Sequence, residues 1–177
     1  MASDQTVTEA TLLSRVTLDY SPDEDRMKLT GLTQDGALVV TWLSLRLLGR
    51  VVPHLLTRYG TMASSLAASS LASKLPSSQL SRQSGAADEA ESPVLPASDT
   101  PAFLVAAADI NQGSDAIVLT LRDTASAVRF AIPVEKMAYW LSGLKSLYQS
   151  AEWPMNVWQG ADQILISIDE VGSVTLH

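Results

Sequence analysis

LSRVTLDYSPDEDRMKLTGLTQDGALVVTW, residues 13–42, is answered ninety positions later by FLVAAADINQGSDAIVLTLRDTASAVRFAI, residues 103–132. The two stretches align without a gap. The identities are few: Asp19/Asp109, Asp25/Asp115, Leu29/Leu119, Thr30/Thr120 and Ala37/Ala127. The apolar pattern agrees more closely. Met27, Leu29 and Gly31 stand opposite Ile117, Leu119 and Leu121, and Leu38, Val40 and Trp42 stand opposite Val128, Phe130 and Ile132. An internal repeat of this kind decides architecture before any motif does.

Within each copy the apolar residues alternate, which is the pattern of strands with one buried face. Strands are expected over residues 13–20, 26–33 and 37–42, and again over 103–110, 116–123 and 127–132. Ser21-Pro22-Asp23-Glu24-Asp25 makes the first turn, because Pro presets φ and the short acids bond locally. Asp35-Gly36 supplies the positive φ that a tight hairpin prefers.

A helical stripe follows each meander. Ser44 is placed to cap the first helix. Leu47, Leu48, Val51, Val52, Leu55 and Tyr59 recur at helical spacing and bury one face. Pro53 is expected to kink or split this helix, since it has no backbone donor, and Gly60 to end it. A separate weak helix is expected over residues 62–75. In the second copy Pro133 suits the first helical position, with Glu135 in the first turn. Its stripe is Met137, Trp140, Leu141, Leu144 and Tyr148. The helices align at a shift of 89, which implies one residue lost at the strand–helix junction.

The fold class is therefore α+β. A βββα unit is duplicated around a pseudo-twofold axis, and a C-terminal hairpin over residues 163–168 and 173–177 extends a sheet. The expected divisions are a loose tail (1–10), a first unit (11–60), a Ser/Ala/Pro-rich segment (61–101), a second unit (102–151) and the hairpin region (152–177), with both units in one compact domain. Residues 76–101 have few bulky apolar side chains to offset ordering entropy and read as a flexible linker.

Composition narrows the chemistry. There are 177 residues, 46% of them apolar, with no cysteine and a net charge of −7. Thiolate catalysis, disulfides and cysteine metal sites are excluded. The negative charge disfavours nucleic acid as a partner. The start of the chain lacks the pattern of a signal peptide. The longest apolar run is broken by Arg46, Arg50, Pro53 and His54, so no transmembrane segment is expected, and the expected location is the cytoplasm.

Four groups of residues carry candidate chemistry. Arg46, Arg50, His54 and Arg58 fall at four-residue intervals on one helix face and suit an acidic partner, a phosphate backbone or a membrane surface. The second copy holds Glu135, Tyr139, Gly143 and Leu147 there, so the copies differ in surface character. Trp153 and Trp158 flank a turn and suit packing, against the core or a partner. Asp19, Asp23 and Asp25, with Asp109, Asn111 and Asp115, resemble the first half of a calcium loop. They lack its sixth-position glycine and its twelfth-position glutamate, which favours plain turns. His54 has no nucleophile or orienting group near it in sequence, so a catalytic role is not expected.

No phosphate loop, zinc-protease helix or nucleophile elbow is present. The expectation is a non-enzymatic interaction or assembly component, without cofactor or metal, docking a protein partner through a basic helix face. Self-association is compatible with this. The alternatives are a single-stranded nucleic-acid-binding protein and an enzyme with a pocket between the units.

Overall fold

The computed structural model describes residues 9–72 and 93–161, with side chains over 9–64 and 93–161. It is mixed α+β: seven strands in one sheet, two α-helices and a short 3-10 turn. The strands are β1 (Thr11–Ser21), β2 (Arg26–Thr33), β3 (Leu38–Leu43), β4 (Ala102–Leu104), β5 (Ala107–Gln112), β6 (Ala116–Arg122) and β7 (Ala127–Pro133). Helix α1 (Leu45–Ala72) follows β3, α2 (Val134–Ser150) follows β7, and the 3-10 turn is Met155–Trp158.

The strand order is β4-β3-β2-β1-β7-β6-β5. Each meander is antiparallel, and the joins β1–β7 and β3–β4 are parallel. β4 and β5 lie at opposite ends of this order, yet only Val105 and Ala106 separate them in the chain. The Val105 N–H donates to the Trp42 carbonyl at 3.0 Å, and the Ala106 N–H donates to the Arg122 carbonyl at 2.9 Å. The chain leaves β3 and joins β6 within one peptide step, so the sheet curls back on itself. The single strand expected over 103–110 is thus two strands serving two neighbours.

The registers relocate the length differences between the halves. The cross-strand row Leu18–Leu29–Thr41 matches Ile110–Leu119–Phe130, and Tyr20–Met27–Leu43 matches Gln112–Ile117–Ile132. β2 and β6 therefore correspond at the expected offset of 90, β1 and β5 at 92, and β3 and β7 at 89. The gap-free alignment holds for the middle strand alone. The one-residue difference lies in the second turn, not at the strand–helix junction, and the first turn is two residues shorter in the second half. Turns absorb such changes because a one-residue slip inside a strand would turn every side chain to the wrong face. Gly36 takes φ +87°, as the Asp-Gly pair implies.

Inward-facing Met27, Leu29, Leu43, Ile117, Leu119, Leu121, Val128, Phe130 and Ile132 share one apolar cluster with the buried stripes of both helices. Leu48, Val52, Leu55 and Tyr59 of α1 are buried, as are Met137, Leu141, Leu144 and Tyr148 of α2. These four pairs stand at the constant offset of 89. The helices also cross over: α1 touches β5, and α2 touches β1 and β7.

Helix α1 corrects two expectations. It runs through Pro53 and Gly60 without ending, and it absorbs the helix expected from residue 62. Pro53 removes one donor, which other turns of a 28-residue helix and its buried face outweigh. Its start is as expected, with the Leu47 N–H donating to Ser44 Oγ at 3.3 Å. Pro133 is the last residue of β7 and flanks α2 instead of starting it.

Part of the expected linker is bound to the sheet. Val94 is buried, its N–H donates to Thr17 Oγ1 at 2.8 Å, and the Pro101 carbonyl accepts from Val40 N–H at 2.8 Å. Residues 93–101 thus form a strap across the outer face, above the row Thr17–Thr30–Val40. Thr30 and Val40 point away from the interior yet are buried. Residues 1–8 of the expected 1–10 tail, residues 73–75 of the expected second helix, linker residues 76–92 and the C-terminal hairpin lie outside the described residues.

Candidate functional site

The outer face of α1 follows from its periodicity. Once Leu48, Val51, Val52, Leu55, Leu56 and Tyr59 turn to the core, the positions between them must face water. Arg46, Arg50, His54 and Arg58 are all exposed, together with Pro53, Thr57 and Thr61. The stripe spans about 18 Å along the helix axis at 1.5 Å per residue.

Three cations elsewhere have carboxylate neighbours: Arg26 with Glu24 at 3.3 Å, Lys28 with Asp19 at 3.8 Å, and Arg122 with Asp109 at 3.3 Å. Among the described residues no hydrogen bond or ion pair engages the side chains of Arg46, Arg50, His54 or Arg58. The reason is legible in the chain. No acid lies between Asp35 and Asp88, whereas that interval holds Arg46, Arg50, Arg58, Lys74 and Arg82. It carries +5, and the rest of the chain, with seven cations and nineteen acids, carries −12. Helix α1 thus presents a basic face, without ion pairs among the described residues, on an acidic protein.

Trp153 and Trp158 are only 5% and 3% exposed. Their rings meet Tyr148 edge-on at 5.2 and 5.5 Å, and Trp153 also meets Tyr20 at 5.9 Å. They are held in the core and do not share a surface with the arginine stripe. Tyr148 Oη and Trp158 Nε1 are buried with no hydrogen-bond partner among the described residues, and burial pushes the Tyr148 hydroxyl pKa up.

The acidic candidates disperse. Asp25 Oδ1 accepts from Trp153 Nε1 at 2.8 Å and from the Tyr20 hydroxyl at 2.9 Å. Those donors, the indole first, hold the Asp25 carboxyl below its usual range, and the hydrogen bond to Asp25 raises the Tyr20 phenol. Asp25 fixes the first turn to the segment after α2, at a φ of +46°. Asp19 neighbours Lys28, Asp109 neighbours Arg122, and Asp115 accepts from the Ser114 hydroxyl at 3.1 Å. Asp23 and Asn111 are exposed. By register Asp19 corresponds to Asn111 and Asp109 to Thr17, so the acidic spacing is not repeated in space. Among the described residues no three His, Asp or Glu side chains gather into a metal-binding set.

The Asp25–Trp153 link and the strap were not foreseen. The first joins residues 128 apart and leaves no local trace. The second had a signal in Val94-Leu95, a bulky apolar pair within a Ser/Pro-rich run. No described helix is long and apolar enough to cross a membrane. Comparison with known proteins brings no relative: no family model matches the chain, and no curated protein or solved structure shows significant similarity to it.

Proposed function

We propose that this chain is a non-enzymatic docking component whose α1 outer face engages an acidic partner, and that its two halves are copies of one βββα unit. The duplication is supported by matching cross-strand rows and by four buried helix positions at one offset. Both halves run in the same sense around the curled sheet, so the relating axis lies along the strands. Duplication supplies a rigid frame in which one helix keeps a plain surface and the other acquires charge.

The observation that carries the docking reading is the exposed series Arg46, Arg50, His54 and Arg58, unpaired among the described residues, on a helix without a single acid. A charge-segregated surface steers oppositely charged partners and orients their encounter. The resolved carboxylate shifts are downward, at Asp25 through hydrogen bonds from Trp153 and Tyr20 and at Asp35 through one from Thr33. A general acid needs the opposite shift.

The test is a pull-down from source lysate with the wild-type chain and with Arg46→Ser/Arg50→Ser/Arg58→Ser, identifying both protein and nucleic acid. A stoichiometric acidic protein lost in the variant is the expected result. Recovery of nucleic acid instead replaces the reading with the single-strand alternative. Equal capture by both chains removes α1 from the site.

A further inference from the structure

The geometry points to an acidic α-helix as the occupant of the α1 outer face, lying in a shallow groove beside the arginines; this rests on the docking reading above. Two rows run side by side on α1 at four-residue spacing. Arg46, Arg50, His54 and Arg58 form a basic ridge. Gly49, Pro53, Thr57 and Thr61 form the neighbouring row, with three exposed members and a half-buried glycine. Helices pack by setting one such ridge into the groove of another.

The second row is low, and its polar groups are already used. The Thr57 hydroxyl donates to the Pro53 carbonyl at 2.9 Å, and the Thr61 hydroxyl to the Thr57 carbonyl at 3.0 Å. Gly49 has no side chain, and a Cβ built there meets nothing within 4 Å. Packing against the described residues therefore does not demand glycine at a position where it lowers helix stability relative to alanine. A close external neighbour could use the room it leaves.

Charge chooses the partner's chemistry. Carboxylates on a helix at i and i+4 lie about 6 Å apart, the same axial step as the arginines. All three permanent cations are Arg, whose planar fork suits paired carboxylate oxygens. A partner helix three or four turns long covers the roughly 18 Å stripe and nothing more. An extended polyanion runs past it, onto a protein carrying −12 elsewhere. A bilayer needs inserted apolar side chains, and the bulky apolar residues of α1 with described side chains are buried or half-buried in the core.

The experiment is a titration in low salt with a twenty-residue peptide of five Glu-Ala-Ala-Ala repeats. The comparisons are the same peptide with two central prolines, a twenty-nucleotide oligo-dT and phosphatidylserine vesicles. The expected result is saturable binding of the helical peptide below 1 mM Kd. We expect affinity to fall at least tenfold with the proline peptide and with Arg46→Ser/Arg50→Ser/Arg58→Ser. Gly49→Leu should weaken binding at least fivefold without lowering the Tm, which separates a blocked groove from a damaged fold. Equal affinity for the proline peptide, tighter binding of oligo-dT or vesicles, or no binding at 1 mM overturns the inference. If the lysate capture still depends on the arginines in any of those cases with protein bound, the docking reading stands and only the helical occupant fails.

Discussion

Gly31 was legible as an inward position, opposite Leu121, but its reason was not. A Cβ there would lie 2.5 Å from Leu13 Cδ1 and 2.8 Å from Cδ2. Gly31→Ala should therefore destabilise by about 1–3 kcal/mol in urea unfolding. The loss should shrink in a Leu13→Ala background, because the clash is the shared term. Asp25 supports a second prediction. Its carboxyl pKa is lowered in the folded state, so its contribution is complete above the unfolded value near 3.9 and fades as pH falls through the folded one. The Tm advantage of wild type over Asp25→Asn should be constant from pH 7 to 5 and narrow below about pH 4. A difference that stays flat to pH 2 would show that the Trp153 and Tyr20 bonds do not depend on the charge. In Tyr148→Phe, removal of a buried hydroxyl with no partner among the described residues should leave chemical stability equal or higher, by up to about 1 kcal/mol.

The helices show what periodicity determines at the level of elements. Every third or fourth residue being apolar was enough to identify the buried stripe of α1, and the complementary positions are the exposed basic ones. Length was not legible, because Pro53 and Gly60 are local stop signals and local signals lose to a continuous buried face. Pro53→Ala restores a backbone donor to α1, at an exposed position. It should raise stability by about 1–3 kcal/mol, read as an increased urea midpoint at unchanged slope. Replacing Arg46, Arg50 and Arg58 by Ser should shift stability by no more than about 0.5 kcal/mol per site, since exposed charges without partners contribute little. A large loss would mean that the arginines serve the fold instead of a partner.

At the scale of the molecule, two parallel joins hold the halves together. Thr11 and Leu12 pair with Val128 and Arg129 of β7, and Ala102–Leu104 pairs with Val40, Thr41 and Trp42 of β3. Each half thus donates a strand end to the other, and their buried residues share one apolar cluster. Proteolytic cleavage at a site engineered between residues 80 and 90 should leave two fragments that co-elute in size-exclusion chromatography and unfold in one transition. Separation of the fragments in native buffer would contradict the curled, mutually completed sheet.

Taken alone, the chain determined the α+β class, the two three-strand meanders, the inward faces and the basic helix side, because each depends on periodicity and charge within about thirty residues. Tertiary structure decided which strands neighbour one another, where the length differences fall, that Val94 straps Thr17, and that Asp25 holds Trp153. Those outcomes turn on pairing across 77 and 128 residues. Backbone donors and carboxylates are chemically alike all along the chain, so only the folded geometry selects which of them meet.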